Sequence, residues 1–227
     1  MLVLQNGLWL TADMALVLLG GQKPSRTEWL NCIRQAGFVA AADGGASMAL
    51  QQQRYPDLLV GDFDSLPAEE LAACQAADCR IYRLPVHKDK TDGEFLLQCL
   101  HHEGWRRLMI LGALGGRFDQ TLANICIAAP LARQGVEICL AQEDGLLLLL
   151  AAEAEPRRLC LQDFAGCTVS LLALGQACGR VELAGFEYPL QGPLSPYTSL
   201  AISNVVRQTQ AEIALQNGCL LVCVSGC

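Results

Sequence analysis

Aromatic residues are scarce in this chain. Phe, Trp and Tyr make up 6% of its 227 residues, so any core is built from Leu, Ala and Val. Long apolar runs are missing as well. The longest is the seven-residue stretch 146–152, whereas a bilayer-crossing helix needs roughly 20 residues. That stretch is expected to be a buried strand or helix segment, and no membrane partner is expected. Basic residues are in the minority: 16 Lys and Arg against 23 Asp and Glu leave a net charge of −7. This argues against the basic surface that nucleic acids and anionic membranes require. Residues 1–10 show neither a cationic stretch nor a small-residue cleavage site, so no leader is expected and the chain is read as cytoplasmic. The twelve cysteines include no Cys-x-x-Cys pair. Cys219, Cys223 and Cys227 recur every four residues, but no histidine lies near them to complete a zinc site. Small buried thiols in a reducing compartment are the favoured reading. Low-complexity segments and internal repeats are absent too.

What is present can form a core. The chain is 52% hydrophobic and 17% charged, a composition that excludes disorder. Up to about residue 140, short apolar runs alternate with helix-like segments. Strands are expected at 15–19, 38–42, 58–60, 81–84, 107–111 and 136–140. Helices are expected at 25–36, 46–53, 67–77, 91–102 and 118–133. Pro67 with Glu69 and Glu70 opens one of these helices. Thr91 with Glu94 is a capping-box pattern for another. Strand–helix alternation implies parallel strands covered by helices. After about residue 143 the pattern changes to short runs at 159–161, 167–172, 179–183, 186–188, 203–207, 212–215 and 220–224, separated by Gly, Pro and Asn-Gly turns. The expectation is a Rossmann-like, parallel-sheet α/β/α domain over residues 1–143. A small all-β sandwich or barrel follows over 144–227.

The carboxylates are not scattered. Asp43 ends an apolar run and precedes Gly44 and Gly45. Asp62 and Asp64 flank Phe63 after the run 58–60. Asp89 and Asp92 lie in a lysine-rich segment with Lys88 and Lys90, and Asp119 follows Gly115-Gly116-Arg117-Phe118. Each group follows a strand or lies between a strand and a helix. In parallel sheets such positions meet at the carboxyl rim, where ligands bind. Acids interleaved with glycines and a few cations suit a Mg²⁺–polyphosphate site: oxygen ligands for the metal, backbone N–H groups for phosphate, Arg or Lys for the remaining charge. The pattern reads as that of a phosphotransferase.

Five motifs in order carry a closer resemblance. They are Ala42-Asp43-Gly44-Gly45-Ala46, Gly61-Asp62-Phe63-Asp64-Ser65, Asp89-Lys90-Thr91-Asp92, residues 112–119, and Thr198-Ser199 with Ser203-Asn204. In these the chain resembles the thiamine pyrophosphokinase (thiamine diphosphokinase) family over essentially its whole length. The resemblance implies transfer of a diphosphoryl group from ATP to the hydroxyl of thiamine, giving thiamine diphosphate and AMP. It also implies an ATP/Mg²⁺-binding first domain, a thiamine-binding second domain, and a homodimer with its active sites at the subunit interface. On this reading Asp43, Asp62, Asp64 and Asp92 hold Mg²⁺. Asp43, Gly44, Gly45, Asp89, Lys90, Gly116, Arg117, Asp119 and Asn124 hold ATP, with Lys88 as a further cation. Asp92, Asp64 and Arg117 act in catalysis, and Asp92 orients or deprotonates the thiamine hydroxyl. Ser199, Ser203 and Asn204, with Asp92, contact thiamine. The chain departs from the family pattern at Gln120, where His is common, and at Leu200-Ala201-Ile202, where the family often has Gly. Proton transfer through position 120 is therefore not expected. Two alternatives stay open at this point: a diphosphokinase for another heterocyclic alcohol such as a pterin, and a non-catalytic regulator that binds nucleotide or thiamine.

Overall fold

The computed structural model describes residues 2–6 and 11–226. Its elements begin with β1 (Leu2–Gln5), β2 (Ala15–Leu18), α1 (Thr27–Gln35), β3 (Val39–Ala42), α2 (Ala46–Gln51) and β4 (Leu58–Gly61). Next come α3 (Ala68–Ala76), β5 (Arg80–Arg83), α4 (Asp92–His102), β6 (Arg107–Leu111), α5 (Phe118–Arg133) and β7 (Glu137–Gln142). Then follow β8 (Gly145–Ala152), β9 (Arg157–Gln162), β10 (Thr168–Ala173) and β11 (Cys178–Ala184). The last are β12 (Gln191–Leu194), β13 (Asn204–Val205), β14 (Gln210–Leu215) and β15 (Gly218–Ser225). The chain divides into two compact units. One is Leu10–Ala128 with Leu140–Glu143, and the other is Asp144–Cys227 joined by Ala129–Cys139 and the N-terminal segment.

The first unit is the expected parallel-sheet domain. Its strands lie in the order β6-β2-β3-β4-β5, all parallel. β2, β3 and β4 are buried at every residue, which is why they read as unbroken apolar runs rather than alternating ones. β5 is the edge strand; its sequence Arg-Ile-Tyr-Arg keeps charge on the open side, a common guard against pairing with another chain. From β2 the chain winds outward through β3, β4 and β5, then returns to place β6 on the other side of β2. The order therefore reverses between β2 and β6, and a crevice opens there beyond the strand ends. Two loops meet at that point. Leu19 N–H donates to Leu111 O and Gly21 N–H to Gly112 O, both at 2.9 Å. The approach leaves no room for a side chain: a Cβ on Gly21 would meet the Gly112 carbonyl, and one on Gly112 would meet the Leu19 carbonyl and Met48 Cε.

Apart from the end of α5, the second unit is built of β-strands. One sheet has the order β1-β9-β14-β11-β12, with β1 parallel to β9 and the other pairs antiparallel. In the other, β13, β10, β15 and β8 pair antiparallel in that order. The apolar run 146–152 becomes most of β8, in register with β15 from Gly145↔Ser225 to Gly218↔Ala152. β10 and β14 alternate buried and accessible residues, the period of a half-covered strand. Three features depart from expectation. β1 was not foreseen, because four residues give too little pattern. β12 was missed because Gln-Gly-Pro-Leu carries two strand breakers, tolerated here at a sheet edge. The strand expected at 186–188 is a loop with a single bridge, Phe186↔Val206. Among the described residues ten cysteines are free thiols, whereas Cys167 is disulfide-bonded, against the expectation of free thiols throughout. Burial pushes the Cys139 thiol up to about 12 and Cys32 up to about 11, the mark of inert packing residues.

Gly112 has φ +72°, a conformation that costs other residues about 1–2 kcal/mol. With the added clash, Gly112→Ala is expected to lower unfolding stability by about 2 kcal/mol or more. Chemical denaturation checks this: the midpoint should fall while the slope stays unchanged.

Candidate active site

All five strands of the parallel sheet contribute to one cavity of about 970 Å³. After β2 come Leu19, Gly20, Gly21 and Gln22. After β3 come Asp43 and Gly44, and after β4 come Asp64 and Ser65. The segment following β5 supplies Val86, Lys88, Lys90, Thr91, Asp92 and Gly93. After β6 come Gly112, Ala113, Gly115, Gly116, Arg117, Gln120 and Asn124. The carboxyl rim thus gathers motifs that lie far apart along the chain, as parallel topology dictates. Gly20, Gly21 and Gln22 were not among the expected site residues. The signal for them was the Gly-Gly pair ending the run 15–19.

Asp43, Asp62 and Asp64 each offer an oxygen, and these oxygens lie within 4.8 Å of one another. The backbone is bent to achieve this. Asp43 has φ +45° and Phe63, between the other two acids, has φ +65°. An Asp tolerates that region, whereas a bulky Phe does so only when its surroundings hold it there. Phe63 is buried, and the Arg83 guanidinium lies 4.9 Å from its ring centroid. Asp64 N–H donates to Asp62 Oδ1 at 3.2 Å. Gly44 N–H donates to Ser65 Oγ at 3.2 Å, and the Ser65 hydroxyl donates in turn to Asp43 Oδ2. Asp43 Oδ1 is buried and has no hydrogen-bond partner among the described residues.

The electrostatics separate the acids. The Asp64 backbone N–H, with Lys88, holds the Asp62 carboxyl below its usual range. The charge of Asp62, and then that of Asp43, pushes Asp64 up. Burial pushes Asp92 up, opposed by Lys88. Three hard oxygen donors, one of them orphaned, fit a small divalent cation such as Mg²⁺. Asp92 stands outside that trio. Its Oδ1 lies 3.2 Å from Lys88 Nζ, which is also 3.2 Å from Asp62 Oδ2. Asp92 is the first residue of α4, whose N-cap Thr91 accepts a hydrogen bond from Glu94 N–H at 3.1 Å.

On the opposite side of the cavity the β6–α5 loop has positive φ at Gly112, Gly115 and Gly116. A Cβ at Gly115 would strike the Gln22 side chain. Glycine here leaves backbone N–H groups open to an anion. Arg117 holds Asp119 with two bonds, Nε to Oδ1 at 3.1 Å and Nη2 to Oδ2 at 2.5 Å. That pair raises the arginine and lowers the aspartate, and the Arg117 side chain, 72% exposed, can turn toward a stronger anion. Asn124 donates to Ala113 O at 2.8 Å and fixes the loop. Lys90 donates to Gln98 at 2.7 Å. Asp62, Asp89, Asp119 and Gly45 do not line the cavity; Asp62 reaches the site only through Asp43, Asp64 and Lys88. Gly45 instead lies against Leu18, whose carbonyl a Cβ would strike.

Ser199, Ser203 and Asn204 belong to the second unit. Ser199 and Ser203 are exposed, and Ser203 N–H donates to Ser170 Oγ at 2.9 Å. Asn204 is buried. Its Oδ1 accepts from Tyr188 N–H at 3.0 Å and Val205 N–H at 2.9 Å, and its Nδ2 donates to Tyr188 O at 2.7 Å. It braces the 185–190 loop and exposes almost no polar surface.

A rim of this kind on a parallel α/β sheet, with acids on one side and a glycine nest on the other, has the chemistry to hold an anionic ligand together with a cation. Comparison with known proteins narrows the class. Residues 29–140 match the family model described as "Thiamin pyrophosphokinase, catalytic domain". Residues 158–220 match "Thiamin pyrophosphokinase, vitamin B1 binding domain". The chain belongs to the thiamin pyrophosphokinase family. It is 23% identical over 206 residues to thiamine pyrophosphokinase of Bacillus subtilis (strain 168), covering 90% of each chain. It is 24% identical over 204 residues to thiamine pyrophosphokinase 1 of Oryza sativa subsp. japonica, covering 79% of this chain and 75% of that one. Among solved structures, thiamin pyrophosphokinase from Geobacillus thermodenitrificans superposes with a TM-score of 0.78 at 26% identity, over 94% of this chain and 98% of that one.

Asn204→Ala would strip Tyr188 of partners for both its backbone groups. Each buried unpaired group costs about 1–3 kcal/mol, so thermal melting should show a loss of that order or more. An unchanged melting temperature would remove the bracing role.

Proposed function

We infer that this chain is a thiamine diphosphokinase: it transfers the diphosphoryl group of ATP to the hydroxyl of thiamine, releasing AMP. The observation that carries the reading is the order of two matched regions on one chain, the first enclosing the acid trio and the glycine nest. In the reaction the thiamine hydroxyl oxygen bonds to the β-phosphorus. The bond from that phosphorus to the oxygen bridging it to the α-phosphate breaks, AMP leaves with the electron pair, and the hydroxyl proton is released. Phosphoryl chemistry of this kind depends on positioning and charge stabilisation more than on covalent help.

This chain's residues supply both. Asp43, Asp62 and Asp64 would hold Mg²⁺, which when bound offsets the charge of the phosphate oxygens. Gly112, Gly115 and Gly116 present backbone N–H groups to the polyphosphate, and Arg117 exchanges Asp119 for a phosphate oxygen. Asn124 keeps that loop in place. Asp92, pushed up by burial, stands at the start of α4, where it can orient the hydroxyl and accept its proton. Gln120 cannot carry a proton as a histidine would. Ser199 and Ser203 offer exposed hydroxyls to thiamine, while Asn204 acts through the loop it braces. We further propose a cytoplasmic homodimer whose sites are completed across the subunit boundary. No helix among the described residues is long and apolar enough to cross a membrane.

Incubation with ATP, Mg²⁺ and thiamine, followed by chromatography, tests the reading. Thiamine diphosphate and AMP in equal amounts are expected; thiamine monophosphate with ADP, or turnover of a pterin alcohol in place of thiamine, would overturn it. Asp64→Asn should cut turnover by about a hundredfold or more while leaving the melting temperature close to that of the parent. Light scattering should give twice the 24.4 kDa chain mass, and a monomer that retains full activity would sink the shared-site proposal.

A further inference from the structure

Lys88 has no part in the mechanism above, yet it occupies the centre of the acidic wall. Its ammonium is surrounded by Asp62 Oδ2, Asp92 Oδ1 and the Pro85 carbonyl, each at 3.2 Å. Of its three N–H donors, one goes to Asp62 Oδ2 and one to the Pro85 carbonyl, while Asp92 Oδ1, which accepts no hydrogen bond, faces the ammonium as an ion pair. The Lys88 side chain is 16% exposed and that of Asp62 only 10%. Other cations near the cavity are held elsewhere: Arg117 by Asp119, Lys90 by Gln98, and Arg83 over the Phe63 ring.

We propose that Lys88 is a stand-in for the metal: in the metal-free protein it balances Asp62 and Asp92, and it competes with the divalent ion for Asp62. The inference rests on the reading of Asp43, Asp62 and Asp64 as the metal group. A cation already seated against one of the three carboxylates has two consequences. It lets half-buried acids coexist without metal, because like charges this close would otherwise repel strongly. It also weakens metal binding to the protein alone, since a divalent ion must approach a fixed positive charge or displace it. Mg²⁺ is commonly held by one or two carboxylates plus substrate phosphates. With Lys88 in place, the missing affinity has to come from the nucleotide, so the ion arrives with its phosphates rather than before them. Lys88 is thus a positioning residue that acts through Asp62 and Asp92.

The test titrates Mn²⁺ alone into the full chain without nucleotide and reads the free ion by electron paramagnetic resonance. Lys88→Met should bind Mn²⁺ on the order of tenfold more tightly than the parent, and its metal-free form should melt at a lower temperature. Lys88→Arg, which keeps the charge, should stay within about threefold of the parent affinity. Where Lys88→Met does not fold without metal, Lys88→Gln, which retains two donors and no charge, takes its place. Unchanged or weaker Mn²⁺ binding in the uncharged variant overturns the proposal. Asp64→Asn in the same titration reports on the metal group itself. If it binds Mn²⁺ as the parent does, the metal reading fails and the proposal with it. If Asp64→Asn loses binding while Lys88→Met gains none, only the proposal fails.

Discussion

Three carboxylates whose oxygens lie within 4.8 Å of one another repel, and the parallel-sheet domain is arranged around tolerating that repulsion. Each acid stands on the loop after a different strand or on a bent stretch of one loop, so rigid strands rather than flexible side chains set the spacing. The Ser65 hydroxyl, the Asp64 backbone N–H and the Lys88 ammonium each satisfy one carboxylate oxygen. What they leave is a single buried oxygen of Asp43 without a partner. The unfavourable charge is localised at one rim, where a ligand can relieve it, and the apolar strands below need accommodate none of it.

The opposite wall of the cavity works by the reverse logic. Among the described residues lining that wall, the charged side chain is Arg117, paired with Asp119 at the surface. The wall is backbone, shaped by glycines whose positive φ turns N–H groups outward. Bringing the loop after β2 against the loop after β6 requires that Gly21 and Gly112 carry no side chain. The crevice and the packing of the two loops therefore depend on the same residues, and neither can be altered alone.

Much of this was legible in the sequence. Runs such as Leu58-Leu59-Val60 announce strands covered on both faces, and the acids that follow them announce the rim. The capping signature at Thr91 and Glu94 placed α4 to the residue. Other parts were hidden for physical reasons. A phenylalanine gives no warning of a left-handed backbone, because Phe63 adopts it only under tertiary constraint. Lys88 reads as a cation for phosphate until Asp62, 26 residues earlier, is brought beside it. Asn204 sits in a motif that suggests ligand contact, whereas the fold turns its amide inward onto Tyr188. Side chains with a local partner were readable; those whose partner lies across the fold were not.

β1 has a bearing on how the chain acquires its structure. It pairs with β9, and Asn6 at its end donates to Asp163, 157 residues further along. β1 must therefore wait unpaired while the parallel-sheet domain that lies between it and β9 in the chain is synthesised and folds. Domains tend to fold as units in order of synthesis, and long-range pairing slows the step that needs it, although the entropic cost of the loop grows only slowly with its length. That edge stays open until β9, Arg157–Gln162, has emerged. During that interval β1 offers an unpaired strand edge that another open sheet edge can capture.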